Sequence, residues 1–495
     1  MHRPHVASTH TEVAIIRTKS PTSPTIGRKT RWIGLLVAVT FTVAACSNSS
    51  DEGAATTEAG PDDTTDDTSG DTTGDTGGST DDTTLAGGSG LFEPVSGVPG
   101  VSNNAISFAV MGTGAANPLG LCLLDCYAQG VQAYFDYRNS IGGINGRRLE
   151  LSTVVDDDLV NTKQKALELI DDPDVFGIFA ATVFQDGYAD IAEAGVPLWI
   201  TMPGAAAADG HDNMFVPIGT PCAEDCRSHF AVQQALIAGA DKVGVIGFGV
   251  SAISRSCVDS FVRTFEQWGP ELDIEVVYRN DALTLGFPNG IGPEVKAMKD
   301  EGVDLVQTCI DQNSVLTVLQ ELRRQGMDDT TVVLPQGYAD QRFIEDNSEL
   351  LEGSLLGVFT LPFEANIEGT AAATFLEWAD KSDVQVNDFA IQGWVDADMA
   401  ATAILAAGPV FDRQSAVDAF NRITDYTAGG LITPVDWTLQ HDAPRGADKL
   451  PPQECFAFVR VTDGAFELIG DPDKPFLCWD NTISEWHDPV ATSFT

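Results

Sequence analysis

Apolar and polar positions change period along this chain in a repeating way. An apolar run, Ile106 to Met111, is followed by Val131, Tyr134, Phe135 and Arg138 at helical spacing, and Gly142-Gly143 supplies the left-handed backbone that ends a helix. Asn145-Gly146 turns the chain sharply. Leu149, Leu151, Thr153 and Val155 then alternate with more polar neighbours, the pattern of a strand, until three carboxylates, Asp156, Asp157 and Asp158, mark a loop. The whole is a β-α-β unit.

The same alternation continues. The pattern predicts strands at 106–112, 149–155, 175–181, 197–202 and 214–218, with helices such as 162–170 and 187–194 between them. A second series follows: helix 223–240, strands 242–247, 274–278, 305–310 and 331–334, and helices 253–268, 292–301 and 314–325. Two successive parallel series, each near the size of one domain, predict an α/β protein of two doubly wound lobes. At 495 residues the chain exceeds what one core normally serves. A strand-like run, 355–362, and helices 370–380, 389–407 and 414–423 come next, and Gly429-Gly430 opens a β-rich tail.

Charge and leader change the picture. The formal charge is −44, and residues 91–495 carry 60 acidic against 22 basic side chains, a surface that repels nucleic acid and anionic lipid. Arg28, Lys29 and Arg31 precede an apolar run, Trp32 to Ala44, too short to span a membrane comfortably, which reads as a signal peptide. It closes on Val43-Ala44-Ala45-Cys46, which resembles a bacterial lipobox and implies acylation of Cys46 and anchorage at the outer face of the cell membrane. Residues 47–90 hold eleven acidic residues, none basic and none aromatic, and read as a disordered tether. Beyond Cys46 eight cysteines remain, an even number that points to disulfides outside the cytoplasm. Of the 105 pairings that eight cysteines allow, locality favours Cys122–Cys126, Cys222–Cys226, Cys257–Cys309 and Cys455–Cys478. Zinc is disfavoured by the Cys-x3-Cys spacing.

The run Ile141-Gly-Gly-Ile-Asn-Gly-Arg-Arg-Leu-Glu-Leu, followed by the aspartates, resembles a hallmark of the leucine/isoleucine/valine-binding type of periplasmic solute-binding protein. The resemblance covers about residues 102–440. It implies two lobes joined by a three-strand hinge, here residues 102–218 plus 363–427 and 219–361 plus 430–495, after a leader (1–45) and tether (46–101). It also implies a monomer that delivers a small solute to an ABC transporter permease, with no catalysis and no cofactor. The crossings are expected near 219–221, 360–362 and 428–433.

Ligands of open α/β sheets lie beyond the carboxyl ends of the strands. The resemblance puts a ligand carboxylate at Thr182, with Val183 and Phe184 beside it, and at Met202, Pro203, Gly204 and Ala205, where this chain has backbone donors only. The carboxylate that usually meets an ammonium group just after a proline is replaced by Gln336. Asp311 is a candidate cation contact, and Phe248, Tyr338 and Phe184 are candidate apolar walls. The expected ligand is therefore a small polar solute such as an amino acid or amide. A sensory receptor of the same fold is the alternative, and a secreted hydrolase a weaker one. Gly247-Phe-Gly249-Val-Ser-Ala252 meets one form of the dinucleotide fingerprint, but this is a weak signal, and the turn into the first helix of the second lobe is much the better account of it. The Asp156–Asp158 run offers hard-cation chemistry, though strand-end carboxylates are more often solvated.

Overall fold

The computed structural model describes residues 93–115, 117, 120–201, 205–446 and 450–494. The leader, Cys46, the acidic tether and Met202 to Gly204 lie outside the described residues. The first sheet is parallel and holds β1 (Ala105–Gly112), β2 (Arg148–Asp156), β3 (Ile178–Ala181), β4 (Leu198–Ile200) and β5 (Met214–Phe215), in the order β2-β1-β3-β4-β5. Helices α1 (Leu124–Ser140), α2 (Thr162–Ile170), α3 (Tyr188–Glu193) and α4 (Ala205–Ala208) connect successive strands. After α5 (His229–Ala238) a second parallel sheet follows: β6 (Lys242–Phe248), β7 (Glu275–Leu283), β8 (Leu305–Cys309) and β9 (Thr331–Val332), ordered β7-β6-β8-β9 and linked by α6 (Ala252–Leu272), α7 (Gly292–Glu301) and α8 (Gln312–Arg324). In each sheet the first strand lies between the second and third, so each has a switch point beside its first strand. The chain is thus two doubly wound α/β lobes.

Helices α9 (Gln341–Asp346) and α10 (Ser348–Leu351) lead to β10 (Leu355–Val358), which a parallel bridge, Val333 to Leu355, ties to the end of β9. Helices α11 (Ala371–Lys381), α12 (Asp388–Ala407) and α13 (Arg413–Phe420) then precede an antiparallel extension of β11 (Gln453–Thr462), β12 (Ala465–Leu468), β13 (Phe476–Asp480) and β14 (Val490–Thr492). β11 pairs with β10, β12 and β13. Its hairpin with β12 turns at Asp463-Gly464, with φ of 51° and 77°, the doubly left-handed pair that a two-residue hairpin needs. The four disulfides are Cys122–Cys126, Cys222–Cys226, Cys257–Cys309 and Cys455–Cys478.

The boundaries depart from the sequence pattern for local reasons. The expected helix 223–240 starts only at His229, because Asp225 is left-handed inside the Cys222–Cys226 loop and Ser228 caps the helix by accepting from the Phe230 amide. The tail does not turn to strands after Gly429-Gly430. Residues 428–433, expected as a crossing, meet the other expected crossing through a Thr360–Ile432 bridge, and the chain then stays with the first sheet. Trp437, fully buried, packs on Phe215 (5.2 Å) and Phe420 (5.2 Å). The return runs beside residues 220–224, with Ala223 N donating to Pro444 O and Gly446 N to Glu224 O.

Two contacts seat α12 on α1. A Cβ on Gly130 would lie 2.0 Å from the Ala390 carbonyl oxygen, and one on Gly393 would lie 2.2 Å from that of Tyr127. Only glycine allows so close a crossing. Inside the contact the Tyr127 hydroxyl donates to Asp396 Oδ2 (2.5 Å), and Tyr134 and Tyr426 donate to Asp398. Burial pushes the Asp396 carboxyl well above the usual carboxylate range. On the sheet side Phe108 sits among Phe135, Phe176, Phe179 and Trp199 at 5.3 to 6.0 Å.

Gly393→Ala should therefore cost about 1–3 kcal/mol in a urea titration, overpacking outweighing alanine's better helix propensity. Unchanged stability would show that the helices can separate freely. Burial raises the Asp396 carboxyl in the folded protein above its unfolded range, near pH 4. Its contribution to stability hence falls as pH rises above 4. Asp396→Asn removes that slope, and the wild type should lose stability relative to the variant by at most about 1.4 kcal/mol per pH unit between pH 5 and 8. Parallel stability curves would refute the assignment.

Candidate functional site

The carboxyl ends of the two parallel sheets approach one another. Gly120, in the loop after β1, lies so close to Asn313 at the start of α8 that a Cβ there would sit 2.0 Å from the Asn313 side-chain nitrogen, Nδ2. Along the same line Asp388, the first residue of α12, accepts from the amides of Gly337 (2.6 Å) and Tyr338 (2.9 Å) in the loop after β9. Asn387 already caps α12 through the amides of Phe389 and Ala390, which frees Asp388 for this reach. Burial raises the Asp388 carboxyl to about 7 against the pull of those two amides.

Most polar side chains expected to hold a ligand are engaged internally. Thr182 is buried; its hydroxyl donates to the Phe184 carbonyl and pairs with the Tyr188 hydroxyl (2.8 Å). The Val183 amide donates to Thr113 Oγ1 (3.0 Å). Asp311 is the N-cap of α8, its carboxylate taking the Ser314 amide (3.0 Å) and hydroxyl (2.6 Å), a reading its Asp-x-x-Ser spacing allowed. Tyr338 is fully buried, its hydroxyl donating to Glu364 (2.9 Å) and accepting from the Phe363 amide (2.6 Å). Phe248 is a core side chain against Phe287. Of the first-lobe backbone donors, Ala205 opens α4; Met202, Pro203 and Gly204 lie outside the described residues.

Two groups remain open. Gln336 is half-buried and lines a cavity of about 140 Å³ with Asp388, Thr360, Ile391 and Gln392. Phe184 is half exposed at the exit of β3, and the second lobe also exposes apolar side chains at its strand exits that were not among the expected site residues. Val250 (75% exposed) and Ile253 (52%) follow β6, and Leu285 (45%) follows β7. An apolar residue inside the polar loop Gly249-Val-Ser251 was the available signal.

The aspartate run is a loop latch. Asp156 accepts from the amides of Gly114, Ala115 and Asp158, and Asp157 from the Leu159 amide and the Thr162 hydroxyl. Ser254, two residues past the dinucleotide-like turn, donates to the Cys309 carbonyl and accepts from the amide of Phe248 within it, so that turn is an element of the second sheet's packing.

Solved structures share this architecture. A branched-chain amino acid transporter substrate-binding protein from Streptococcus pneumoniae, in complex with isoleucine, is 15% identical with a TM-score of 0.57, covering 74% of this chain and 99% of that one. A solute-binding protein of an R. palustris ABC transporter, in complex with 4-hydroxybenzoate, is 17% identical with a TM-score of 0.57, covering 74% and 98%. A fatty acid ABC transporter substrate-binding protein from Thermomonospora curvata is 19% identical with a TM-score of 0.56, covering 76% and 95%. No curated protein matches the chain. Among the described residues no helix is long and apolar enough to cross a membrane. The profile of the periplasmic binding protein family matches residues 123–465, well over half of the chain, and with the two lobes and their facing strand ends this makes the chain a member of that family, whose proteins bind small solutes outside the cytoplasm for ABC transporters.

Proposed function

We propose that this protein captures a small solute with an apolar body between the carboxyl edges of its two sheets and presents it to an ABC permease. The observation that carries this reading is a contrast. The strand exits expose Phe184, Val250, Ile253 and Leu285, while the hydroxyls and carboxylates of Thr182, Asp311 and Tyr338, which would fix a small polar zwitterion, are bonded internally. Polar contact comes from Gln336 and main-chain amides. The neighbours bound to isoleucine and 4-hydroxybenzoate point the same way. Closure turns on a hinge of residues 219–224, 360–362 and 440–446, where Gln440 accepts from the Thr220 amide and Thr360 bridges Ile432. Cys46, acylated, holds the protein to the outer membrane face through the acidic tether.

A thermal-shift screen of branched-chain and aromatic amino acids, aromatic carboxylates, fatty acids, amides and polyamines tests the ligand class. A true ligand at about 100 times its dissociation constant stabilises the fold by roughly 2.7 kcal/mol. Val250→Asp with Ile253→Asp should weaken such a ligand at least tenfold without lowering the melting temperature of the free protein. Hits confined to fully polar solutes, or indifferent to the paired substitution, would refute the apolar cleft.

Cys46→Ala should move the protein from the membrane pellet to the soluble fraction of the producing cell. Continued sedimentation with membranes would show that another segment anchors it.

A further inference from the structure

Far from the strand exits, the second lobe and the C-terminal extension enclose a cavity of about 510 Å³, lined among others by Arg227, His229, Gln267, Trp268, Pro452 and Ile483. Trp268 lies sixteen residues beyond the start of α6, about 24 Å along the helix from the end that faces the first lobe. Its volume falls within the range of small-molecule sites.

The walls are built for rigidity. His229 is 1% exposed and its Nδ1 pairs with Glu454 Oε1 at 2.5 Å; the same carboxylate takes the His229 amide and the Ser228 hydroxyl. The imidazole stacks on Trp268 (4.0 Å) and on Trp479 (5.6 Å). Glu454 and Trp479 are cross-strand partners on β11 and β13, next to the Cys455–Cys478 disulfide. Gln267 Nε2 and Trp268 Nε1 both donate to the Ser484 carbonyl.

Within this framework three lining residues carry a buried polar atom with no partner among the described residues: Arg227 Nε, His229 Nε2 and Gln267 Oε1. Buried polar groups left unpaired are unfavourable, and three of the residues that line this cavity hold one each. Arg227 also lacks a carboxylate partner among the described residues, in a chain of formal charge −44 where acidic residues outnumber basic ones 72 to 28. A guanidinium left over in such a chain suits an anion. Gln267 Oε1 needs a donor, and His229 Nε2, with Nδ1 directed at Glu454, accepts one when the ring is neutral. Trp268, Pro452 and Ile483 present apolar surface.

We propose that this cavity is a second ligand site, for a small carboxylate that carries a hydroxyl on an apolar body. The carboxylate meets Arg227, the hydroxyl meets Gln267 and His229, and the apolar part lies against Trp268. The site is independent of the interlobe cleft.

The test is calorimetric titration of the full protein with 3-phenyllactate, with 3-phenylpropionate lacking the hydroxyl and 2-phenylethanol lacking the carboxylate as controls. 3-Phenyllactate should bind and alter tryptophan fluorescence, and each control should bind at least tenfold more weakly. Arg227→Met and Gln267→Leu should each weaken 3-phenyllactate at least tenfold at an unchanged melting temperature, and Val250→Asp should leave it unaffected. Hydrogen exchange should slow at residues 481–484 on binding, a readout that stands if either cavity variant fails to fold. No binding at millimolar probe would mean that the cavity holds water only, and would overturn the proposal. So would binding lost with Val250→Asp but kept with Arg227→Met, which would place the probe in the cleft.

Discussion

The crossing of α1 and α12 is the constraint on which the rest of the architecture depends. The two helices are more than 240 residues apart in sequence, yet Gly130 and Gly393 bring them to backbone contact, and the second sheet is formed by the chain between them. Seating α12 there fixes three other features. Its first residue, Asp388, is brought against the loop after β9; α13 carries Phe420 onto Phe215; and Phe420 and Phe215 hold Trp437, which keeps the tail on the first lobe until it returns beside residues 220–224. Without that crossing the first lobe would lack one wall of its core, and Asp388 would not reach across to the second.

The crossing also shows how a strongly acidic chain places carboxyl groups inside itself. Asp396, Asp398, Glu364 and Asp388 are all raised by burial, and tyrosine hydroxyls meet the first three. A buried acid near a phenol can stay neutral and still form its hydrogen bond, whereas a buried carboxylate would need a cation that this composition rarely supplies. Surface pairs such as Lys296 with Asp300 and Lys381 with Glu377 are exposed and contribute little. Cohesion therefore rests on apolar burial and on neutral polar contacts in the interior.

How much of this was legible follows from the range of each interaction. The periods marked both parallel series, and the bounds of α2 and α7 match the pattern because their determinants are local: a run of amphipathic positions and, for α7, the glycine that ends it. The turn after α1 was legible for the same reason, since left-handed Gly142, Gly143, Asn145 and Gly146 announce themselves by residue type. Strand-exit side chains were not. Whether Phe184 or Phe248 faces solvent depends on what packs beneath it, and Phe287, which covers Phe248, belongs to another loop. Asp311 caps α8, and a capping aspartate and a ligand aspartate look alike in sequence. The His229–Glu454 pair spans 225 residues and leaves no periodic trace.

The exposed side chains at the strand exits bear on how the lobes would close. In a two-lobed binder the open and closed forms must be near balance, so that the ligand's differential affinity decides between them. Moving such an equilibrium from 1:99 to 99:1 requires about 5.5 kcal/mol. Fully burying one large, wholly exposed aliphatic or aromatic side chain supplies roughly 1.5–3 kcal/mol; Phe184, Val250, Ile253 and Leu285 are already partly covered, so a ligand's apolar body has to cover what remains of all four, worth roughly 3–7 kcal/mol, to reach that magnitude. Without a ligand these side chains would have to meet one another across a gap, recovering only part of the burial. The Asp388 contact to Gly337 and Tyr338 is of another kind, a hydrogen-bonded tie between α12 and the loop after β9 that borders the same cavity as Thr360 and adds no apolar burial.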